Sequence, residues 1–459
     1  KRNKILKPSH YNTRSGNTMN IIMLSGGSGK RLWPLSNDTM SKQFIKLLKD
    51  KDGSYQSMVQ RVYGQLGEAK MQGNVVVATN MAQADAIRGQ LGEQVELVIE
   101  PERRNTYPAI LLSCAYLYFK KKVSECEAVA VLPIDVYAGQ EYFEGLSRME
   151  EALNTSHADL LLMGAEPTYP SEKYGYIVPA YGKDGIYKAS RFVEKPIKQQ
   201  AQQLIRDGAL WNCGVFAFKL GFAVEMLKHS GLPMNDYETF ISHYAELEAT
   251  SFDYAVAEKA KDIAVVKHMG YWKDLGTWNT LTEEMTEHKI GEDILLSDDC
   301  LNTHIINMLD IPLIGMGLKD IVVVASHDGI LVTDKGQSSY LKPYADKVTK
   351  RPMYEIKPWG KYRVIDHAKS TEAQTSLTKR INMQAGMTVD NHYHTNYTQI
   401  CVITAGEGVF EIDGKEQRVF PTSVISIPME TRHTIKALTD LEWIEVQIGS
   451  ELSEDDTNT

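Results

Sequence analysis

The run Ser25-Gly26-Gly27-Ser28-Gly29-Lys30-Arg31 carries residue types that could hold a polyphosphate. It follows Ile21-Ile22-Met23-Leu24, an apolar stretch that reads as a buried strand. Glycines let the backbone turn tightly and approach a ligand with no Cβ in the way. Successive N–H groups in such a turn can cradle phosphate oxygens, and Lys30 and Arg31 add two positive charges. Two familiar phosphate loops are excluded. A P-loop needs glycine and a hydroxyl where this chain has Leu24 and Arg31. A dinucleotide fingerprint needs a third glycine in place of Leu32.

A loop of this kind offers no ligand for magnesium, which prefers one or two carboxylates together with phosphate oxygens. Asp135, in Leu132-Pro133-Ile134-Asp135, directly follows a buried-strand pattern, so its carboxylate should emerge at the carboxyl edge of a sheet. Asp274, in Trp272-Lys273-Asp274-Leu275-Gly276-Thr277-Trp278, is the second candidate. An Asp at a strand end serves equally well as a turn or helix cap, so both readings stay open on the residues alone. Phe192-Val193-Glu194-Lys195-Pro196 joins a strand to a turn. There Glu194 can accept hydrogen bonds from sugar hydroxyls and Lys195 can meet a phosphate, while an exposed Glu-Lys pair is also an ordinary solvated pair. His392 and His394 are two apart, so on a strand they point the same way and can converge with His433 on one metal. A barrel without metal is the alternative.

These side chains need a frame. The chain has 459 residues, room for roughly two or three domains. Its net charge of −9 argues against a dedicated surface for a nucleic acid polymer, though a local basic pocket would still take a nucleotide. No apolar run is long enough to span a bilayer, so no membrane partner is expected. The five cysteines are scattered and unpaired in spacing, which fits a reducing cytoplasm better than a disulfide framework. Residues 1–18 read as a flexible extension before Met19. From 19 to 287, strand-length apolar runs (75–79, 95–100, 128–133) alternate with helical spacing (56–66, 83–91, 106–121, 143–153). That alternation predicts an α/β domain with a mostly parallel sheet covered on both faces, binding ligands beyond the carboxyl ends of its strands. Residues 288–350 read as short strands with turns at Gly315, Gly317 and Asp328-Gly329, a small β-solenoid or connecting sheet, followed by a helix near 338–349. Residues 351–450 have the profile of an antiparallel barrel or jelly roll. The acidic stretch 451–459 is expected to be a disordered tail.

The glycine-rich run with Leu32-Trp33-Pro34-Leu35 and then Ser41-Lys42-Gln43-Phe44 resembles the signature of the sugar-nucleotide pyrophosphorylases. Within them it is most similar to bacterial mannose-1-phosphate guanylyltransferases of the long type, which end in a phosphomannose-isomerase-like cupin domain. The resemblance covers nearly the whole chain from Met19. It implies a Rossmann-like nucleotidyltransferase domain and transfer of GMP from GTP to mannose 1-phosphate in the cytoplasm, by a homo-oligomer. Another hexose or heptose 1-phosphate or another base, added isomerase activity, and a non-catalytic sugar-nucleotide sensor are the alternatives. The resemblance assigns Mg2+ to Asp135 and Asp274 and catalytic charge to Lys30, Arg31 and Lys42. It assigns nucleotide contacts to Leu24, Gly26, Gly27, Ser28, Gly29 and Pro133, with Arg104, Asn105 and Thr106 near the base or phosphates. It assigns the sugar phosphate to Tyr174, Gly175, Glu194, Lys195, Asn212 and Asp253. Gly386, His392, His394, Gln399 and Gly406, then Ile427-Pro428 and His433, match the cupin motifs, implying Zn2+ or another divalent metal.

The departures are specific. Val136 stands where the family has His, and Tyr107 where it has Ala. Gln399 replaces a cupin Glu. The Arg-Ala-Glu-His-Trp run of the isomerase domains is missing after His394, and the tail ends Asp455-Asp456-Thr457 without the family's Arg. The last two put proton transfer, and hence isomerase activity, in question.

Overall fold

The computed structural model describes residues 19–459 except 28, 29, 38, 39, 157, 372, 373, 451, 453–455 and 459. The extension 1–18, Ser28, Gly29 and most of the acidic tail therefore lie outside the described residues. The chain divides into two compact units. The first comprises 1–26, 58–81 and 95–274; the second comprises 27–57, 82–94 and 275–459.

The first unit is built on a nine-stranded sheet. Glu96–Glu100, Val75–Asn80, Asn20–Leu24 and Ala128–Pro133 run parallel side by side. Leu210–Lys219 then pairs antiparallel with both Ala128–Pro133 and Leu160–Ala165. Ile263–Lys267 lies parallel to Leu160–Ala165, and the hairpin Tyr176–Lys183/Ile186–Val193 closes the far edge. Central strands such as Val129-Ala130-Val131-Leu132 are fully buried, as strands covered on both faces must be. Val129 and Val131 join one core with helix Thr106–Phe119 and helix Leu220–His229. Helix Gln140–Thr155 covers the opposite face, where a Cβ on Gly145 would come within 2.8 Å of Met163 Cε. The expected alternating α/β sheet is therefore present, with the antiparallel strand 210–219 inserted at its centre.

In the second unit, residues 289–334 form a coil of short parallel rungs. Lys289, Ile305 and Val323 stack as successive Cα partners; Ile294–Leu296 pairs in parallel with Leu313–Gly315. His327-Asp328 turns the last rung back as a hairpin, with Gly329 paired to Ser326. The single helix expected near 338–349 is instead a 3₁₀ turn at Gln337–Tyr340 followed by a short helix Lys342–Ala345. Pro343 suits a first helical turn and has no N–H to continue an earlier one.

Residues 354–449 form two antiparallel sheets, one of six strands and one of four. Both contribute to one core: Tyr362, Leu377, Ile381, Cys401 and Trp443 from the larger, Phe410, Val419, Ile435 and Ala437 from the smaller. The antiparallel jelly-roll profile holds, as two sheets sharing a core. The disorder expected of the tail fails at Asp456 to Asn458. Asn458 and Tyr393 exchange backbone hydrogen bonds of 3.0 and 2.9 Å, and Asp456 is buried. None of the helices described is long and apolar enough to cross a membrane.

Candidate active site

Asn20–Leu24 and Ala128–Pro133 lie in register with Leu24 opposite Pro133. Ser25-Gly26 and Ile134-Asp135 thus leave the same carboxyl edge of the sheet side by side. Ser25 N continues the ladder by donating to Ala78 O at 2.8 Å. Beyond Asp135 the chain forms a second, two-stranded ladder, Val136–Ala138 against Trp272–Asp274, with Asp274 opposite Val136. This ladder sets Asp274 beside the backbone that directly follows Asp135.

Next to them lies a polar cluster. Tyr176 and Val193 are paired across the hairpin, which brings Gly175 against Glu194. A Cβ on Gly175 would sit 2.5 Å from Glu194 Oε2 and 2.8 Å from Phe192 Cζ. Asn212 N donates to Gly175 O at 2.8 Å. Asn212 Oδ1 accepts from Gly214 N at 3.0 Å and its Nδ2 donates to Asp253 Oδ1 at 2.9 Å, which fixes the amide orientation. Glu194 N donates to Glu258 Oε1 at 3.2 Å. Lys195 adopts a left-handed φ of 44°, and its Nζ reaches Glu194 Oε1 at 2.6 Å. The Glu194 side chain is only 6% exposed whereas that of Lys195 is 54% exposed. The pair is therefore a buried acceptor with a cation at the mouth. Burial works against the charge on Lys195, but Glu194 holds its ammonium above the usual lysine range.

Tyr174 joins this cluster to the edge acids. Its ring meets Trp211 at 5.0 Å and Trp272 at 5.6 Å, both edge-on. Burial and the negative charge of Asp274 push its phenol above the ordinary range. Asp253 opens the π-helical turn Asp253–Ala257. Burial, with Glu194 nearby, raises its carboxyl from 3.8 to about 6.

Two stability predictions follow from this packing. Gly175→Ala must displace Glu194 or Phe192, at a cost of about 1–3 kcal/mol; an unchanged denaturation midpoint would refute the close approach. An acid whose folded pKa is raised favours the fold while it is protonated. That stabilisation is complete below about 3.8 and is lost as the pH rises through about 6. Asp253→Asn, which keeps an acceptor for Asn212, should raise unfolding free energy at pH 7 by up to about 3 kcal/mol, and far less at pH 4. Denaturant titrations at both pH values check the difference.

The residues expected near the nucleotide have structural partners of their own. Asn105 Oδ1 caps helix Thr106–Phe119 by accepting from Thr106 N at 2.9 Å. Thr106 Oγ1 accepts from Phe252 N at 2.9 Å. Arg104 donates to Leu247 O at 2.8 Å and pairs with Glu102 at 2.5 Å. Sequence reasoning missed Tyr244, whose hydroxyl donates to buried Glu100 at 2.7 Å just before this segment.

In the second unit, Gly27 takes a left-handed φ of 97°, and a Cβ on Gly26 or Gly27 would meet nothing within 4 Å. Gly26 and Gly27 thus present open backbone. Gly27 O accepts from Ser41 Oγ at 3.1 Å and from Gln83 Nε2 at 3.3 Å, and Gln83 also donates to Ser41 Oγ at 2.6 Å. This brace places Lys42, the first residue of the 3₁₀ turn Lys42–Phe44, directly after a residue that holds the loop. Lys30 and Arg31 begin another 3₁₀ turn, Lys30–Leu32. Trp278 Nε1 donates to Trp33 O at 3.1 Å and Ser326 Oγ to Pro34 O at 3.0 Å. Gln83 carried no sequence signal beyond helical spacing, since its partners Ser41 and Gly27 lie 42 and 56 residues away.

The C-terminal sandwich holds the histidine cluster. His392 and His433 are cross-strand partners, with ring centroids 4.2 Å apart; His394 lies 4.9 Å from His392 and 5.4 Å from His433. One nitrogen of each falls within 4.8 Å of the others. Each Nδ1 faces a backbone carbonyl, at Asp390, Asp456 and Thr431 for His392, His394 and His433. Donation from Nδ1 leaves the Nε2 lone pairs for a metal. His394 Nε2 is buried with no hydrogen-bond partner among the described residues. Burial, helped by the two neighbouring imidazoles, lowers His433 to about 4. The ring is therefore neutral at pH 7, as ligation requires. Gln399 Nε2 reaches Glu445 at 3.4 Å. The donor set fits a borderline divalent metal such as Zn2+.

Comparison with known proteins agrees with this architecture. Residues 20–289 match the nucleotidyl transferase family, and residues 345–459 match the mannose-6-phosphate isomerase C-terminal domain. The chain is 30% identical to mannose-1-phosphate guanylyltransferase of Escherichia coli K12, over 95% of this chain and 96% of that protein. It is 29% identical to the xanthan biosynthesis protein XanB of Xanthomonas campestris, over 95% and 96%. The crystal structure of mannose-1-phosphate geranyltransferase from Thermus thermophilus aligns with a TM-score of 0.61 at 28% identity, over 73% of this chain and 100% of that one. The chain is thus an enzyme of the nucleotidyl transferase family, a member of the mannose-1-phosphate guanylyltransferases that carry a mannose-6-phosphate isomerase C-terminal domain.

Proposed function

We propose that the enzyme transfers GMP from GTP to mannose 1-phosphate, giving GDP-mannose and pyrophosphate. The observation that carries this reading is the ladder setting Asp274 opposite Val136, beside the Gly175–Glu194–Lys195–Asn212–Asp253 cluster. Acids for a metal and a pocket for a sugar phosphate then share one edge of the sheet. A phosphate oxygen of the sugar 1-phosphate attacks the α-phosphorus in line. The new O–P bond forms as the bond to the β-phosphate breaks, and pyrophosphate leaves with that electron pair. Asp135 and Asp274 would hold Mg2+, which when bound neutralises phosphate charge and orients the reacting groups. Lys195 receives the sugar phosphate, and Glu194, Asn212 and Asp253 accept or donate to its hydroxyls beside the backbone of Gly175, with Tyr174 as a wall.

To the nucleotide we assign Leu24, Gly26, Gly27, Ser28, Gly29 and Pro133, with Arg104, Asn105 and Thr106 near its base or phosphates. Lys30 and Arg31 stabilise the departing pyrophosphate, and Lys42 supports phosphate binding. No covalent intermediate is needed, because positioning and electrostatics supply most of the catalysis in phosphoryl-type transfers. We further assign Zn2+ or a related divalent metal to His392, His394 and His433 with Gln399, and expect a homo-oligomer acting in the cytoplasm. The domain limits 19–287, 288–350 and 351–450 belong to the same proposal.

The test is a pyrophosphate-release screen of nucleoside triphosphates against sugar 1-phosphates with magnesium. GTP with mannose 1-phosphate should give the highest kcat/KM, and silence with every pair would end the reading. An assay on mannose 6-phosphate decides whether the histidine site also isomerises.

A further inference from the structure

The strands Gly360–Thr371 and Gln374–Met383 pair near one edge of the six-stranded sheet. Tyr362, Val364, Ile381 and Met383 fill the sandwich core. Strand alternation therefore turns Lys361, Arg363, Arg380 and Asn382 to the opposite face. The register sets Arg363 directly opposite Arg380, and Lys361 opposite Asn382. Like charges directly opposed across a ladder repel, so this pairing is costly unless something anionic meets it. Asp310 takes Arg363 Nη1 at 2.8 Å and Glu442 takes Arg380 Nη1 at 2.8 Å; His327 Nε2 lies 3.2 Å from the same Arg363 nitrogen. Each acid engages one terminal nitrogen only. Arg380 Nε is buried and has no hydrogen-bond partner among the described residues.

Lys361, Arg363, Arg380, Asn382, Asp310 and His327 line a cavity of about 590 Å3, within the size range of small-molecule sites. Pro34, Leu35, Met40, Phe44 and Ile45 form another part of its lining. Lining cations (Lys46, Lys361, Arg363, Arg380) outnumber lining carboxylates (Asp310, Asp328). Lys46 and Lys361 make no ion pair among the described residues. Burial and Arg363 both lower the pKa of His327, so it adds no charge at pH 7. We propose that this cavity is a second small-molecule site that takes a phosphorylated nucleoside. The phosphates sit on Lys361, Arg363 and Arg380, whose guanidinium forks suit phosphate oxygens. The base packs on the apolar side at Leu35 and Ile45, which are partly exposed. A bare sugar phosphate fits less well, because its hydroxyls would face that apolar wall without partners. Leu35 closes the signature run and Lys42 lies between Met40 and Phe44, so an occupant touches the segment that also serves the phosphate loop.

The choice of probes rests on the proposed reaction. Equilibrium dialysis of the full chain with labelled GTP, and separately with labelled GDP-mannose, counts the sites and separates substrate from product as the occupant. Two equivalents per chain are expected for at least one probe. Lys361→Ala should weaken one of them by about tenfold, as for loss of one charged contact, and leave the other unchanged. Arg363→Gln should do the same, with circular dichroism confirming that each variant is folded. If the transferase site bound no nucleotide, a single equivalent that weakens in Lys361→Ala would still be seen, and it would support the cavity. Binding of one or two equivalents that Lys361→Ala does not alter would overturn it.

Discussion

Asp274→Asn should lower kcat by about two to three orders of magnitude, the effect of removing one preorganised charge from a developing transition state. Asn keeps the size of Asp and can keep its place in the ladder opposite Val136, but an amide is a far weaker ligand for a hard divalent cation. The loss should therefore fall on kcat, with the thermal midpoint little changed, and high magnesium should recover part of it. Arg31→Ala should cost a comparable factor for a different reason, because it removes positive charge from the leaving pyrophosphate. Magnesium should not rescue that variant. Steady-state pyrophosphate release across a magnesium series separates the two, and near-normal turnover in either variant removes that residue from the chemistry.

The second large effect is expected at the histidine cluster. Ending the chain at Leu452 should lower its affinity for Zn2+ or Co2+ by about 10- to 100-fold, the usual consequence of losing a partner that orients a ligating histidine. The reason is the strap formed by Asp456 to Asn458. The carbonyl of Asp456 accepts from His394 Nδ1. Its carboxylate accepts from Thr395 N at 3.0 Å and Asn396 N at 2.8 Å. These bonds lower its pKa despite the opposing effect of burial. Without the strap, His394 is free to turn and its Nε2 no longer points reliably at His392 and His433. Asp456→Asn keeps the carbonyl and should lose much less. Competition dialysis with Co2+, read by its visible absorption, compares the three chains, and equal affinities would show that the strap has no part in the site.

Much of the molecule was legible in the order of its residues because the controlling interactions are local. Apolar runs of strand length separated by helical spacing announce a sheet covered on both faces, and Ala128–Pro133 and Thr106–Phe119 form where they were expected. The open backbone at Gly26 and Gly27, the cations after it, and strand-end acids at Asp135 and Asp274 follow from residue type and spacing. His394, expected to share a strand with His392, instead lies past the end of strand Thr388–His392, where the Asp456 carbonyl meets its Nδ1. Registers and long-range bonds carry no such local signal. The neighbourhood of Asp135 and Asp274 depends on a three-residue ladder between segments distant in sequence. Gln83 looked like any helical position until it braced Gly27. The polar tail read as disordered because composition counts its charges but not the N–H groups waiting at Thr395 and Asn396. Arg363 and Arg380 were two unremarked basic residues until the register set them face to face. Residue order thus determined which elements form and which chemistry they can carry. Tertiary pairing decided which of those groups meet, because each meeting rests on partners tens to hundreds of positions away.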